Sequence, residues 1–311
     1  MLTQDLLGAG DSASRPLACG DRTNGELDLD LGGASLAYAD PASLFNSSNP
    51  AEESAFLRHD PVDPETPPRY RLWPAGDTAL VVEFGSRIDR RLSAQVLALA
   101  RRLGELQLEG IIEIVPTFRS LMVHYDPLVL SAAALRARID ALIAGMRVTE
   151  SCGHHWSLPV CYDTSLAPDL DEVAARTGLS TDEVVERHSG VTYYVYMLGF
   201  LPGMAYLGDV PAELALPRRA SPRLKIPAGS LAIANTMTSI LPRETPSGWH
   251  VIGRSPMALF EVTPTAKALL APGDTVVFRP ISIVEFEHLC AKVVANDLQI
   301  APSRRPIGAT A

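Results

Sequence analysis

From Val191 onwards the sequence breaks into short β-rich pieces separated by proline and glycine. Pieces this short, with turn residues between them, are typical of a β-barrel or a β-sandwich. The predicted strands cover residues 191–198, 230–234, 250–252, 258–262 and 275–279. A closing helix is predicted over residues 282–294, because Ser282 and Glu285 have the spacing of a capping box at its start.

The part of the chain that begins at Tyr70 has a different pattern, with the order β-α-β-β-α-β. Its predicted strands are residues 79–84, 111–115, 120–125 and 156–162. Apolar residues at steps of three and four predict helices over residues 88–106 and 135–146. This order favours a split βαβ layer with both helices on one face of a mostly antiparallel sheet.

Two short helices, at residues 169–177 and 181–188, are predicted between this layer and the β-rich part. Ser180 and Glu183 form a capping box for the second, since each side chain can satisfy the backbone donor of the other. We place the boundary between the two domains near residue 155. The predicted domains are therefore residues 69–155 and 156–295.

The first 68 residues differ from the rest in composition. They hold twelve acidic and three basic residues, which account for the whole net charge of −9. Few of them are aromatic, so the segment cannot bury enough apolar surface to offset the entropy lost on ordering. Residues 1–68 are predicted to be a disordered acidic extension, and residues 296–311 a flexible C-terminal tail. Charges cancel in the remainder, so no basic face for nucleic acid is predicted.

Several classes of protein are disfavoured by the composition. No apolar run reaches the roughly 20 residues needed to cross a bilayer, and no signal peptide is evident at the N-terminus. Four scattered cysteines fit a reducing compartment, which makes the cytoplasm the expected location. Cys152, His154, His155 and Cys161 match no zinc spacing, so no metal site is predicted.

A local excess of positive charge lies between residues 218 and 254. The basic residues are Arg218, Arg219, Arg223, Lys225, Arg243 and Arg254, against one acid, Glu244. Prolines and glycines interleave them and predict stiff loops that expose backbone N–H groups. One interpretation is a site for an anion, a nucleotide phosphate or a substrate carboxylate, because guanidinium groups bind both. The other is a set of surface arginines paired to acids elsewhere.

Two further features have open interpretations. The loop over residues 199–208, GFLPGMAYLG, is apolar and rigid, and can either wall a pocket or pack a barrel mouth. His188 ends a short helix, where the helix dipole favours an imidazolium, and can be a cap or a catalyst. The chain has no phosphate-binding P-loop, no dinucleotide fingerprint and no nucleophile elbow, so any use of a nucleotide is of an unusual type or is completed by a partner.

Several of these segments together resemble one family, which includes the B subunit of 5-oxoprolinase, allophanate hydrolase subunit 1 and the sensor-histidine-kinase inhibitor KipI. The similarity extends from residue 70 to about residue 290. Its segments are GDTAL at 76–80, EFG at 83–85, VPTFRSL at 115–121, YDP at 125–127, GFLPG at 199–203, YLG at 206–208, PRR at 217–219, IPAGS at 226–230 and GW at 248–249 with IGRSP at 252–256.

The resemblance implies a fold and a reaction. The fold is a ferredoxin-like α+β domain followed by a cyclophilin-like β-barrel. The reaction opens the ring of 5-oxo-L-proline to give L-glutamate and hydrolyses ATP. The ATP is expected to bind together with magnesium. The implied partners are a second carboxyltransferase-like subunit of the C type and a lamin-B-like subunit of the A type, without which the chain is expected to be inactive.

The resemblance also suggests residues for the site. Arg219, Arg223 and Arg254 are expected to stabilise the transferring phosphoryl group and to hold the substrate carboxylate. The other residues expected to bind substrate or nucleotide are Phe200, Pro202, Gly203, Pro227, Gly229, Ser230, Trp249 and His188.

The chain departs from the family pattern over residues 235–242 and at Ser247, which stands where a glycine is usual. Asn235 and Ser239 stand where glycines are usual, Met237 where glutamine is usual and Leu241 where tyrosine is usual. The loss of an amide and a phenol from an expected pocket loop leaves two alternatives open. One is a regulatory binding module resembling the kinase inhibitor, and the other is an allophanate- or urea-related amidohydrolase subunit.

Overall fold

The computed structural model describes residues 68–148, 153–262, 267–298 and 300–302. The predicted acidic extension lies outside these residues except for its last position, and the predicted C-terminal tail lies outside them from residue 303 onwards. All the described residues belong to the same contact unit, Asn49–Ala311.

The N-terminal layer is a four-stranded antiparallel sheet with two helices. Its strands have the spatial order β1-β2-β4-β3, so that β4 lies between the two strands that α1 connects. Its elements are β1 Arg71–Pro74, β2 Ala79–Glu83, α1 Arg90–Glu105, β3 Ile111–Pro116, β4 Ser120–Tyr125 and α2 Ala132–Ala144. The ferredoxin-like description of this layer stays a prediction.

Both helices of this layer begin at a side-chain cap and bury an apolar stripe. Asp89 accepts a hydrogen bond from the backbone N–H of Arg91 at 2.7 Å, and Ser131 accepts one from Ala134 at 3.2 Å. Residues at helical spacing then pack on one face of the sheet, which buries a single apolar cluster. Its fully buried members include Val96, Leu99, Leu103, Leu121, Val123, Leu135 and Ile139.

One predicted strand belongs elsewhere. Residues 156–162 are predicted to complete this layer, but β5, His155–Cys161, pairs in parallel with β15, Thr275–Ile281, along its whole length. Its last four residues are all buried, as in a strand covered on both faces rather than at the edge of an open sheet. The edge position beside β2 is taken by β1, which is only four residues long and ends in a proline.

The second part is a closed seven-stranded barrel, with the order β10-β7-β6-β15-β5-β12-β9. Its geometry is compatible with the predicted cyclophilin-like barrel. The remaining barrel strands are β6 Tyr193–Leu198, β7 Ala205–Gly208, β9 Ser230–Ala234, β10 Met237–Ile240 and β12 His250–Arg254. Two short pairs lie outside the barrel, β8 Arg223–Ile226 with β11 Thr245–Ser247, and β13 Phe260–Glu261 with β14 Lys267–Ala268.

Three helices pack against the barrel. They are α3 Leu170–Thr177, α4 Thr181–Ser189 and α5 Ile283–Val294, and all three agree with the sequence prediction to within one residue or two. The Ser180–Glu183 capping box is present in both directions. At the start of α5, the Ser282 side chain accepts a hydrogen bond from the backbone N–H of Glu285. The Glu285 carboxylate forms an ion pair with Arg279 at 3.0 Å. No helix in the described part of the chain is long and apolar enough to span a membrane.

Candidate functional site

The barrel wall has two apolar sides because successive residues of a strand point to opposite faces. On β6, Tyr193 and Val195 join the interior cluster, whereas Tyr194 and Tyr196 join a second cluster on the outer face. We call this second cluster the aromatic wall. It consists of Tyr194, Tyr196, Met204, Ile226, Ala232, Ala234, Met237, Leu241, Trp249 and Val251, with Phe118, Leu201 and Tyr206 packed against it at its partly exposed rim.

The aromatic wall gathers segments that are far apart in the sequence. Phe118 comes from the hairpin between β3 and β4, Leu201 from the loop before β7, and Trp249 from the turn before β12. These three lie in the VPTFRSL, GFLPG and GW segments. The motifs that stood out in the sequence therefore converge on one surface of the barrel, which makes the aromatic wall the candidate site.

The rings of the wall contact each other at tilted or edge-to-face angles. Phe118 lies 5.8 Å from Tyr206 and 6.0 Å from Tyr196, measured between ring centroids. Tyr206 is 6.0 Å from Trp249. Burial raises the pKa of the Tyr206 phenol, and the nearby Arg218 charge opposes that shift. Such a surface can stack on a planar ligand.

The loop before β7 presents Phe200 to solvent. Its side chain is 54% exposed and its φ is +67°, while Leu201 N–H bonds Gly199 C=O at 2.8 Å across it. This is a γ-turn in a conformation that is rare for a bulky residue. Pro202 is exposed beside it, and Gly203 is required because a Cβ there would lie 2.6 Å from Cβ of Phe260. The sequence prediction placed these three residues in the site, and the loop does border the wall through Leu201.

The turn over residues 227–230 uses two of its backbone donors within the protein, and its contact with a ligand stays a prediction. Gly229 N–H bonds Leu241 C=O at 2.7 Å, and Ser230 N–H bonds Pro227 C=O at 3.3 Å. Both donors expected to contact an anion are thus used within the protein. Gly229 has φ +81°, and a Cβ there would clash with the Ser255 carbonyl oxygen, so its role in this structure is close backbone packing. Pro227 is exposed at the start of the turn.

Two of the three predicted arginines bind a carboxylate of the protein. Arg219 Nη1 donates to Asp169 Oδ1 at 2.6 Å, and Arg223 Nη2 donates to the same oxygen at 2.6 Å. This hydrogen bond and the Asp169 charge raise the pKa of Arg223. The second interpretation of the basic cluster, pairing to acids elsewhere, describes these two residues. Their contact with a substrate stays a prediction.

Arg254 differs from the other two. It lies on β12, is half-buried, and its Nε donates to Ala228 C=O at 2.9 Å. No acidic side chain in the described ranges pairs with it. Of the three arginines, Arg254 is therefore the best placed to meet an anionic ligand.

His188 is part of the core rather than of an open site. Tyr162 O–H donates to its Nδ1 at 2.9 Å, and its Nε2 lies 3.1 Å from Thr238 Oγ1, which in turn donates to Ala232 C=O. The ring stacks on Phe278 at 5.2 Å. Burial lowers its pKa to about 3, so the expected imidazolium does not form at neutral pH. Its predicted contact with a ligand disagrees with its complete burial.

The segment that departs from the family pattern is a hairpin strand rather than a pocket loop. Asn235 begins the two-residue turn between β9 and β10 with φ +52°, a conformation that asparagine tolerates. Along β10, Thr238 is in hydrogen-bond contact with core residue His188, whereas Met237 and Leu241 belong to the aromatic wall. Met237 and Leu241, where the resemblance implies glutamine and tyrosine, both contribute apolar side chains to this part of the wall.

Two residues that bring the layers together are not indicated by any pattern in the sequence. Arg90, at the start of α1, donates from Nε and Nη2 to Asp209 Oδ2 at 2.9 and 2.7 Å. Its guanidinium carbon lies 5.5 Å from the ring centroid of Tyr194. Asp209 follows the YLG segment directly, but no local pattern indicates a partner 119 residues away.

The fold is a mixed α and β structure. An antiparallel sheet with two helices on one face contacts a closed barrel at the aromatic wall. Residues 70–270 match the family described as carboxyltransferase domain, subdomain C and D, and the chain belongs to this family.

Curated relatives share the greater part of the described sequence. The chain is 37% identical to the B subunit of 5-oxoprolinase from Bacillus subtilis (strain 168) over 225 residues, which are 69% of this chain and 94% of that protein. It is 37% identical to the B subunit of 5-oxoprolinase from Escherichia coli O157:H7 over 213 residues, 68% of this chain and 96% of that protein.

Two solved structures are similar to the chain. The crystal structure of TTHA0988 matches with a TM-score of 0.59 and 34% identity over 66% of this chain, which spans only 40% of that longer chain. Kluyveromyces lactis urea carboxylase matches with a TM-score of 0.66 over 76% of this chain and 24% of that one. At 19% identity, the second likeness concerns the fold alone.

Proposed function

We propose that this chain is a subunit of an ATP-dependent 5-oxoprolinase-type hydrolase. The observation that carries the proposal is its 37% identity to the B subunit of 5-oxoprolinase over 94% of that protein. The aromatic wall supports it, because a surface of closely packed aromatic rings suits a small planar cyclic amide.

The proposed reaction activates a lactam, which is a poor electrophile. The lactam oxygen takes the γ-phosphoryl group of ATP and ADP leaves. Water then adds to the activated carbon, and the C–N bond of the ring breaks as the nitrogen takes a proton, which leaves the new carboxyl group as an acyl phosphate. A second water hydrolyses this acyl phosphate to L-glutamate and phosphate. Arg254 is proposed to stabilise the negative charge that develops on the transferring group, and the wall to hold the ring away from water. Magnesium accompanies ATP as a co-substrate, and among the described residues no group of three His, Cys, Asp or Glu side chains converges to hold a metal.

The chain is proposed to act within a complex. Its curated relatives are each named as one subunit of an enzyme. A second carboxyltransferase-like subunit of the C type is the expected partner, together with a lamin-B-like subunit of the A type. In this arrangement the barrel supplies the aromatic wall and Arg254, and the partners complete the ATP site.

The test is phosphate release by the complex reconstituted from the three purified subunits. We expect phosphate release that depends on both ATP and 5-oxo-L-proline, and equimolar L-glutamate. Arg254→Ala should lower kcat by about 100-fold, as for loss of one transition-state charge contact. Arg101→Ala, on the exposed side of α1, is the matched control and should leave the rate unchanged. A complex that assembles but releases no phosphate in response to 5-oxo-L-proline would refute the proposal.

The apolar side chains of Met237 and Leu241 favour one alternative, a regulatory module that binds a protein surface. Met237 and Leu241 lie in the wall where the family pattern has hydrogen-bonding side chains. In this case the chain should bind a sensor kinase and inhibit its autophosphorylation without 5-oxo-L-proline. Absence of binding in a pull-down with the purified kinase domain counts against it.

A further inference from the structure

Asp169 joins three separate parts of the barrel surface. It is 1% exposed and stands directly before α3. Its carboxylate accepts hydrogen bonds from Arg219, from Arg223 and, at 2.7 Å, from the backbone N–H of Val251. Its own N–H donates to Val251 C=O at 3.0 Å. One buried carboxylate therefore ties α3 to β12 and to residues 217–223, which we call the arginine loop.

The arginine loop is also fastened to the aromatic wall. Arg219 N–H donates to Gly248 C=O at 2.7 Å, immediately before Trp249. A Cβ on Gly248 would lie 3.7 to 3.8 Å from Arg219, Arg218 and Pro222, so the loop lies directly against this turn. Arg219 holds Gly248 and Asp169 holds Val251, so Trp249 lies between two held residues; Trp249 and Val251 are both members of the wall. The position of the Trp249 ring thus depends on contacts that begin at Asp169.

The charges around Asp169 form a network rather than an isolated pair. Arg219 Nη1 also binds Glu172 at 2.5 Å, and the Arg219 guanidinium holds the pKa of that carboxyl below its usual range. His250, which is fully buried, bonds Pro217 C=O through Nε2 at 3.0 Å. Arg219 Nε and His250 Nδ1 are buried without a hydrogen-bond partner in the described structure. Buried polar atoms left in this state cost free energy, so stability alone does not account for the arrangement.

We propose that Asp169 is a positioning residue: through Arg219 and Arg223 it fixes the arginine loop and, with it, the place of Trp249 in the aromatic wall. In this role Arg219 and Arg223 act by holding the arginine loop to Asp169. The catalytic consequence rests on the proposed function. The structural consequence, a displaced Trp249 ring when Asp169 loses its charge, does not depend on it.

The experiment compares Asp169→Asn with Asp163→Asn, an exposed aspartate whose carboxylate bonds only Ser165 among the described residues. The chain has three tryptophans, so indole N–H signals in a ¹H–¹⁵N NMR spectrum report Trp73, Trp156 and Trp249 separately. We expect Asp169→Asn to shift the Trp249 signal and leave the other two in place. In the reconstituted complex kcat should fall 10- to 100-fold with a smaller change in KM. Asp163→Asn should change neither the spectrum nor the rate.

Arg223→Lys is the second variant, for the case in which Asp169→Asn does not fold. It keeps the charge but loses the two-nitrogen contact, so it should shift the Trp249 signal by a smaller amount. A Trp249 signal that does not move in any folded variant overturns the proposal. So does a rate that falls only in proportion to the folded fraction. If the wild-type complex shows no 5-oxo-L-proline-dependent turnover, the proposed function fails, and the Trp249 signal still decides the positioning role.

Discussion

At the scale of single residues, His188 shows how burial decides chemistry. Its position at the end of a short helix predicts a favoured imidazolium. In the fold, Nδ1 of the ring is hydrogen-bonded to the Tyr162 hydroxyl, and Nε2 lies at hydrogen-bond distance from the Thr238 hydroxyl. The Phe278 ring stacks on the imidazole. Because the Thr238 hydroxyl donates onward to Ala232 C=O, Nε2 is the nitrogen that carries the hydrogen. Both nitrogens are satisfied only in the neutral ring.

This burial predicts a specific dependence of stability on pH. The pKa of His188 is lowered to about 3 in the folded chain, and an unfolded histidine has a pKa of about 6.5. Between these values only the unfolded chain binds the proton, so the folded chain loses up to about 1.4 kcal/mol of stability per pH unit as pH falls. Urea unfolding at pH 7, 6 and 5 measures this slope. His188→Gln should lower stability at pH 7 but have a shallower slope. Parallel slopes in the two proteins would contradict the assignment.

Whether the contacts of a single residue could be predicted depends on how far its partners lie from it in the sequence. The Ser180–Glu183 capping box could be predicted, because its two members are three residues apart and interact through helix geometry. Asp169 could not, because Arg219 and Arg223 lie 50 and 54 residues away from it. The sequence showed the excess of basic residues and left open whether they bind an anion or an acid of the chain. Only the fold shows that Asp169 binds two of these basic residues, Arg219 and Arg223.

At the scale of elements, the long periodic helices were predicted closely, whereas several short strands were missed, among them the apolar β7 and the more polar β10. β10 contains threonine and serine and follows an asparagine turn, so its sequence resembles a loop. It forms because β9 and β7 supply hydrogen bonds on both sides. β5 was assigned to the wrong sheet for a related reason, since pairing with β15 depends on a strand 120 residues later. Tertiary pairing, which outweighs local preference in sheets, decided both cases.

The turn that holds β9 to β12 depends on Gly229. Alanine there must adopt φ +81° and also meet the Ser255 carbonyl oxygen at less than contact distance. We expect Gly229→Ala to lower the free energy of unfolding by about 3 kcal/mol, the sum of strained backbone and a clash that must be relieved. Gly76→Ala separates the two causes, because Gly76 has φ +66° with nothing within 4 Å. Gly76→Ala should lower the free energy of unfolding by about 1 kcal/mol. Equal losses in urea unfolding of the two variants would show that the close contact is unimportant.

At the scale of the whole molecule, the helix-backed layer and the barrel are joined at the aromatic wall. Arg90 reaches from α1 to Asp209 and Tyr194, and Ser93 contacts the Tyr194 hydroxyl at 3.3 Å. Phe118 reaches across from the tip of the β3–β4 hairpin. The ion pair is about one third exposed on each side, so water screens it and its contribution is small. The apolar contact of Phe118 is therefore expected to carry most of the coupling between the two parts.

Truncating Phe118 tests this coupling. Phe118→Ala removes a half-buried ring from between Tyr196 and Tyr206, and should lower the free energy of unfolding by about 2 to 3 kcal/mol. It should also make the two parts unfold less cooperatively, because the hairpin loses its contact with the barrel. Calorimetry should then show a broader or divided transition, where the parent chain shows one. Ile112→Ala, on the same hairpin but 69% exposed, is the control and should stay within about 0.5 kcal/mol of the parent. If Phe118→Ala unfolds in one transition as sharp as that of Ile112→Ala, the layers are coupled through Arg90 and α1 instead, and the double variant Arg90→Ala/Phe118→Ala should be the one whose transition divides.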